Sequence, residues 1–456
     1  MALISVVHRA SLGNRERLDP EYYEPEYLQL SSLLASRTCR KLSTLSREIS
    51  CGPFGSTVLC DTYMPKGILV IRPFNIKDCR IDDEDIVYIS KEDVETKNLK
   101  TYSNGDVVFS RVGDIRCGII DNFDGEVTIS PNIIAVKLNR NLINPYYVST
   151  FMNTKYGYTQ LARTQKIVAQ PTIETETVKE LLVPKVSEDF QSDIEHDLKL
   201  AFSRQDNSKS LYSQAENLLL KELGLEDFQP KYELSYTASL LKAFGAHRVD
   251  AEYFQPLYDY IEEYLINEFN ARPIGEVDFI EVTTGQYSEE YVERSEGRPY
   301  IRGTDIRNGT ISTDDLVYIA SGNQIESKKA RERDVVVTRV GTIGLSARIP
   351  KECEGGTISD NLIRLRFDEK SLSSHYLALF LGSPVAVSLM IRNSRGSVQQ
   401  RLNQETLKEV VVPILPSETQ KTIASLVRQS HEARKKAKEL LEEAKSKVEN
   451  LIEGRV

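Results

Sequence analysis

The sequence predicts an α+β fold made by tandem duplication: two α+β heads, each followed by a long α-helix, with the two helices pairing as an antiparallel coiled coil. Three observations carry this. Short motifs recur in the same order about 230 positions apart. Within each copy, β-type runs cluster first and a helical stretch comes after them, which is the α+β order and not βαβ alternation. Each copy then closes with about 37 residues that contain neither Gly nor Pro.

The repeat runs through nearly the whole chain. Arg17-Leu18-Asp19-Pro20-Glu21-Tyr22-Tyr23-Glu24-Pro25 returns as Arg248-Val249-Asp250-Ala251-Glu252-Tyr253-Phe254-Gln255-Pro256, 231 positions later. Ile71-Arg72 with Asn75-Ile76 returns as Ile301-Arg302 with Asp305-Ile306 at 230, and Asp106 to Gly113 returns as Asp334 to Gly341 at 228. Ile129-Ser130-Pro131-Asn132 matches Ile358-Ser359-Asp360-Asn361, and Val183-Pro184 matches Val412-Pro413, both at 229. An offset this steady marks a duplicated unit.

In chain order, residues 1–16 are an N-terminal arm and 17–186 form the first head. Its β-type runs are Gly67–Arg72, Ile86–Ser90, Asp106–Arg111 and Ile133–Leu138, closed by Gly, Asn and Asp turns, and Asn144–Thr164 reads as helix. Residues 187–224 are the first spacer helix and 225–247 a linker. The second head spans 248–415, with its helical stretch near Ser373–Arg392, and 416–456 are the second spacer helix. In that helix Ile423, Val427, Leu441, Ala444, Val448 and Leu451 hold an a/d-like seam, with Ser430, Arg434 and Ala437 weakening its middle. Asp206-Asn207-Ser208 predicts an interruption in the seam of the first helix. Each helix is about 55 Å long at 1.5 Å per residue, and a lone helix with a narrow seam needs a partner. Ser187–Asp227 carries 10 acids against 4 bases, and Ser417–Val456 carries 7 against 9, so the two pair most simply with each other.

Composition narrows the function. The 456 residues carry 58 Lys+Arg against 67 Asp+Glu, a net charge of −9 that excludes a polycation coating nucleic acid by charge alone. With 40% hydrophobic and 27% charged residues, the chain is globular and not disordered. Cys39, Cys51, Cys60, Cys79, Cys117 and Cys353 form no C-x-x-C pair, which argues against a zinc site and a disulfide framework. Met1 to Arg9 has no basic leader, and Tyr376 to Ile391 is broken by Gly382-Ser383-Pro384 and too short to span a bilayer. These features predict a cytoplasmic protein with no membrane contact.

Two similar heads on a rigid spacer suit a two-fold, repeating ligand, and double-stranded DNA is the common one. Leu142–Ile173 holds three bases (Lys155, Arg163, Lys166) and no acid, and Ser371–Asn403 again three (Arg392, Arg395, Arg401) and none. Arg163 aligns with Arg392, Lys166 with Arg395 and Gln170 with Gln399. With Gln165 and Gln400 they make a basic, amide-rich strip, able to hold phosphates and read base edges. Arg72, Lys77, Arg302 and Arg307, at strand ends beside Gly/Asn turns, form a second candidate surface. Gly52-Pro53-Phe54-Gly55-Ser56 and Gly285-Gln286-Tyr287-Ser288 are loops whose glycines would let a backbone approach a phosphate, with Ser56 as a contact, although neither has P-loop spacing. Arg111-Val112-Gly113 and Arg339-Val340-Gly341 read as turns with Arg as a scaffold ion-pair partner.

These features together resemble the specificity subunits of type I restriction–modification systems. The resemblance lies in the paired Asp-x-Glu-Tyr-Tyr/Phe-x-Pro openings, the Gly-x-Phe-Gly-Ser loop, the Ile-Arg-x-x-Asn/Asp-Ile strands and the Gly-Asp-Val-Val-x-Ser-Arg-Val-Gly segment. It extends to Gln170–Pro184 and Gln399–Pro413, which lead into the long helices, and to the order of head, helix, head, helix. The resemblance implies two target recognition domains, each reading half of a split, asymmetric DNA site. It also implies helices that set the gap and dock two methyltransferase subunits, through which restriction subunits join. No cofactor is then expected in this chain, with S-adenosylmethionine in the methyltransferase and ATP and Mg in the restriction partner.

Chemistry in the chain itself has weak support. Asn144-Pro145-Tyr146-Tyr147 resembles the Asn-Pro-Pro-Tyr motif of adenine methyltransferases but lacks the second Pro, and its counterpart Ser373-Ser374-His375-Tyr376 keeps only the last Tyr. Asp85 with Glu95 and Lys97, and Asp315 with Glu326 and Lys328, have the residue types of a metal nuclease without the carboxylate spacing of a strand pair. The five histidines (His8, His196, His247, His375, His431) form no pattern. The expectation is a subunit without its own active site. A protein-binding scaffold, or a recognition subunit of another restriction or methylation class, is the alternative.

Overall fold

The computed structural model describes residues 20–455 apart from 54, 56, 59, 78, 165–171, 278–280, 314–315 and 395–400. The chain divides into two compact units, Met1–Arg204 with Lys436–Val456, and Gln205–Lys435. Each head therefore forms a unit with part of both long helices, whereas a linear parsing gives each head one helix of its own.

The first unit is built on a six-stranded sheet in the order Ser46–Cys51, Ile133–Leu138, Val107–Ser110, Cys117–Ile119, Arg80–Ile81, Ile76–Lys77. A three-stranded sheet, Val87–Ile89, Ile68–Ile71, Val127–Ile129, accompanies it, and Cys39–Lys41 pairs with Leu182–Pro184. Alternation along the strands fills two cores, because successive side chains of a strand point to opposite faces. Val107 and Phe109 pack with the helix Pro145–Met152 and the long helices, while Val108 packs with Ile71, Val127 and Ile129.

The second unit repeats this strand for strand. Its sheet order is Glu281–Thr284, Leu362–Arg366, Val335–Thr338, Ser346–Arg348, Thr310–Ile311, Ile306–Arg307, with a three-stranded sheet Val317–Ala320, Gly297–Ile301, Thr357–Ile358 and the pair Arg272–Pro273 with Val411–Val412. Individual bonds recur as well. Tyr147 donates to Pro184 O at 3.0 Å, and Tyr376 to Pro413 O at 2.9 Å. The helical stretch of each head is two helices and not one: Pro145–Met152 then Lys155–Thr164, and Ser374–Gly382 then Pro384–Asn393, the latter pair bent by 71°. Pro384, which cannot donate to the preceding turn, forces the second break. Among the described residues no single helix is long and apolar enough to cross a membrane.

The long helices span Glu188–Glu222 and Ser417–Glu453. They run antiparallel: Asp197 pairs with Lys447 at 2.6 Å, Ser208 with Ser430 at 3.1 Å, and Thr419 meets Glu222 at 3.5 Å. In the first unit Ile194, Leu198, Ala201 and Phe202 pack with Leu441, Ala444, Val448 and Ile452, so the final seam position is Ile452 and not Leu451. In the second, Ala215, Leu219 and Leu223 pack with Ile423 and Val427. At Asp206-Asn207-Ser208 the apolar seam gives way to a polar layer, as expected, but the helix does not break. The helix continues through it, because the buried Ser208 and Ser430 hydroxyls bond each other and Ser430 also donates to Ser208 O at 2.8 Å. A polar layer in a seam is tolerated when its hydroxyls are satisfied.

Candidate nucleic-acid interface

The strand-end turns are held by one device in both units. Asn75, buried, accepts from Arg72 N at 3.1 Å and donates to Glu84 O at 2.8 Å. Asp305, also buried, accepts from Arg302 N at 2.8 Å and pairs with the Arg302 guanidinium at 3.0 Å. The guanidinium of Arg72 meets Asp85 O. Arg72 and Arg302 are thus committed to their own turns. Lys77 lies over the Phe74 ring at 4.4 Å and is bound by Asp82 at 3.2 Å and Glu84 at 2.7 Å, whereas Arg307, its counterpart, is exposed and bonds Ile306 O at 2.7 Å. The candidate surface therefore presents a neutralised cation in one unit and an open one in the other.

The glycine loops serve the chain's own backbone. A Cβ on Gly52 would collide with Ser130 O, and one on Gly285 with Ser359 O. Gly52 N donates to Ile133 O at 2.9 Å, and Gly285 N to Leu362 O at 3.2 Å. The close approach that requires glycine at these two positions is thus to the neighbouring backbone. Ser56 lies outside the described residues.

The Arg-Val-Gly turns also hold the scaffold, through carbonyls and, among the described residues, without the expected ion pair. Arg339 donates to Leu402 O at 3.0 Å, and the backbone of Arg111 and Arg339 bonds Ile173 N and Leu402 N, both at 2.9 Å. These turns fasten the chain just after the basic strips.

The two aligned arginines of the strips are occupied within the protein. Arg163 donates to Tyr22 O at 2.9 Å and Ser31 Oγ at 2.5 Å, and its guanidinium stacks on the Tyr22 ring at 4.1 Å. Arg392 bonds Asp259 and Glu262, each at 2.7 Å, and lies 4.9 Å from the Tyr253 ring. Tyr22 and Tyr253 occupy the same place in the repeated Asp-x-Glu-Tyr opening. That motif is a hook, clamped by an arginine at the end of the head's second helix. Its recurrence in both copies was the available signal, and only the contact reveals its partner. Gln165, Lys166, Gln170, Arg395, Gln399 and Gln400 lie outside the described residues.

The methyltransferase-like motif is a helix start. Asn144 caps Pro145–Met152 by accepting from Tyr146 N at 2.9 Å, and its amide donates to Glu195 at 2.5 Å. Of the nuclease-like groups, Glu95 pairs with Lys91 at 3.8 Å and Lys97 with Asp93 at 2.7 Å, both one helical turn apart.

Residues 268–444 match the family model described as "Type I restriction modification DNA specificity domain". The EcoBI specificity subunit of a type I restriction enzyme from Escherichia coli is 27% identical over 35% of the chain and 34% of its own length. The StySPI specificity subunit from Salmonella potsdam is 30% identical over 28% of each. The match thus spans about a third of the length of these two relatives. A putative specificity subunit, MjaX, from Methanocaldococcus jannaschii is 20% identical over 85% of the chain and 86% of its own length. Among solved structures, the S subunit of a type I restriction–modification system from M. genitalium aligns over 91% of this chain and 94% of that one at 13% identity, with a TM-score of 0.42. The HsdS subunit from Thermoanaerobacter tengcongensis aligns over 92% and 97% at 13% identity, with a TM-score of 0.31. The chain is similar to type I specificity subunits, and its residues 268–444 match the model of the type I restriction modification DNA specificity domain.

Proposed function

We propose that the chain is the DNA-recognition subunit of a type I restriction–modification complex, without an active site of its own. One observation carries the reading: the specificity-domain match covers most of the second head and its long helix, and the first unit repeats the same strand order. Two heads on one scaffold then read the two halves of a split, asymmetric site. Lys166, Gln165 and Gln170 contact DNA in the first head, and Arg395, Gln399 and Gln400 in the second, with Arg163 and Arg392 anchoring the helices that lead into these segments. The antiparallel helices set the gap and dock two methyltransferase subunits, through which restriction subunits join. S-adenosylmethionine belongs to the methyltransferase, and ATP and Mg to the restriction partner, in the cytoplasm.

The test is modified-base sequencing of DNA from cells that express this chain with its neighbouring methyltransferase, against the methyltransferase alone. A split motif with a fixed gap, methylated only when this chain is present, is the expected result. Lys166→Ala alters one half of the motif and Arg395→Ala the other. No new methylation from soluble, co-purifying proteins overturns the proposal, and changes confined to a single half refute the residue assignment.

A further inference from the structure

We propose that His375 and His431 form a proton-sensitive joint fastening the second head to the second long helix, and that this joint opens on mild acidification while its counterpart in the first unit stays closed. The joint belongs to the fold and does not depend on what the heads bind.

His375 stands in the first turn of the helix Ser374–Gly382, and its ring lies 6.1 Å from that of His431 on the long helix. His431 Nε2 is 3.1 Å from Asn308 O. A carbonyl only accepts, so Nε2 carries a proton in this contact. Asn308 and Gly309 form the left-handed turn between Ile306–Arg307 and Thr310–Ile311, with φ of 44° and 69°, so the head reaches the helix through a rigid hairpin tip. The first unit builds the same seam from groups that do not titrate near neutrality. Tyr146 and Phe202, both 229 positions earlier, hold their rings 6.4 Å apart.

The surroundings of the two histidines oppose a proton. His375 Nδ1 is buried with no hydrogen-bond partner. Arg348, Arg333 and Arg428 face His375 together with His431, and Arg434 and Arg348 face His431. The carboxylates Glu332 and Glu369 are bound to Arg348 at 3.1 Å and to Arg333 at 3.2 Å. Burial first, and the neighbouring cations second, hold His375 down at about 3; burial holds His431 down at about 4 against the Asn308 carbonyl, which favours its charged form, with Arg434 and Arg348 adding to the depression. Released into water, an imidazole titrates near 6.5. The open state therefore binds more protons than the closed one, and closure weakens as the pH falls below 6.5 towards the closed-state values.

Amide hydrogen exchange of the full chain at pH 7 and pH 5, expressed as protection factors, tests this with an internal control. Protection at 374–382, 306–311 and 425–435 is expected to fall at least tenfold more than at 145–152 and 195–204. The exchange His375→Tyr with His431→Phe, which copies the first unit, is expected to remove the difference. Should that variant fail to fold, His431→Gln keeps a donor for Asn308 O and is expected to reduce the acid response. Equal pH dependence in the two units overturns the proposal, as does an unchanged response in whichever variant folds.

Discussion

Replacing Arg392 by Ala separates a scaffold arginine from a DNA-facing one. The nearly buried guanidinium bonds Asp259 and Glu262 at 2.7 Å each and lies on the Tyr253 ring. Charge-assisted bonds contribute about 1.5–3 kcal/mol each when shielded. The two carboxylates are about a third exposed, so solvent screening halves that, and a total cost of about 2–3 kcal/mol is expected. In a unit of this size 1 kcal/mol moves Tm by roughly 2–4 °C, so the transition should fall by about 4–12 °C. Arg392→Lys keeps the charge and loses the fork, and should fall between. Thermal unfolding followed by circular dichroism on the full chain reads both. A variant that melts within about 2 °C of the parent while its specific DNA binding collapses would refute the clamp and return Arg392 to the binding surface.

Two aligned aspartates should respond in opposite ways. Asp334 accepts from Arg366 at 2.6 Å beside the fully buried Arg364, so Asp334→Asn should cost about 2–4 kcal/mol by chemical denaturation. Burial holds the Asp106 carboxyl above its ordinary value, so ionisation is disfavoured in the folded state. Asp106→Asn should thus be neutral or stabilising at pH 7, with any gain vanishing as the pH falls into the range where Asp106 itself protonates. Ser430→Ala should cost about 1 kcal/mol, and Ser208→Ala with Ser430→Ala less than the sum of the single changes, because no buried hydroxyl is then left alone. Removing seven residues from one long helix should abolish soluble protein, whereas matched seven-residue deletions in both should shorten the spacer by about 10 Å and the methylated gap by about 3 base pairs. A single deletion that moves the gap cleanly would sink the antiparallel spacer.

The duplication made the scaffold legible. Val107-Val108-Phe109 and Val335-Val336-Val337 are strands by alternation and composition alone, and a match at constant offset says that whatever one copy builds the other repeats. Most of the seam of the second long helix was legible too, from a period read over ten turns, although its last position is Ile452 and not Leu451. Side-chain partners far apart in sequence were not. Arg163 and Arg392 looked like phosphate ligands because their surroundings in the chain hold no acid. Asp259 and Glu262 come from a helix 130 or more positions away, and Tyr22 from a motif 141 away. Local charge counting cannot see a partner brought in by the fold. Gly52 and Gly285 are ambiguous in a related way, since a glycine that admits a phosphate and one that admits a neighbouring strand are identical in sequence.

Asp206-Asn207-Ser208 shows why a break in a pattern is ambiguous. A polar residue in a seam interrupts it only when its hydrogen bonds go unmet, and that depends on what stands opposite. Here Ser430 does. The head of each unit also holds both helices: Asn144 bonds Glu195 and Lys155 bonds Glu453 in the first, while Tyr264 bonds Leu223 O and Asn308 meets His431 in the second. Register is thus specified once by the seam and again by each head. A slip of one heptad would break polar contacts in both units and leave Ser208 and Ser430 buried without each other. Such redundancy explains why the helices can carry a weak, alanine- and serine-containing middle without losing their alignment.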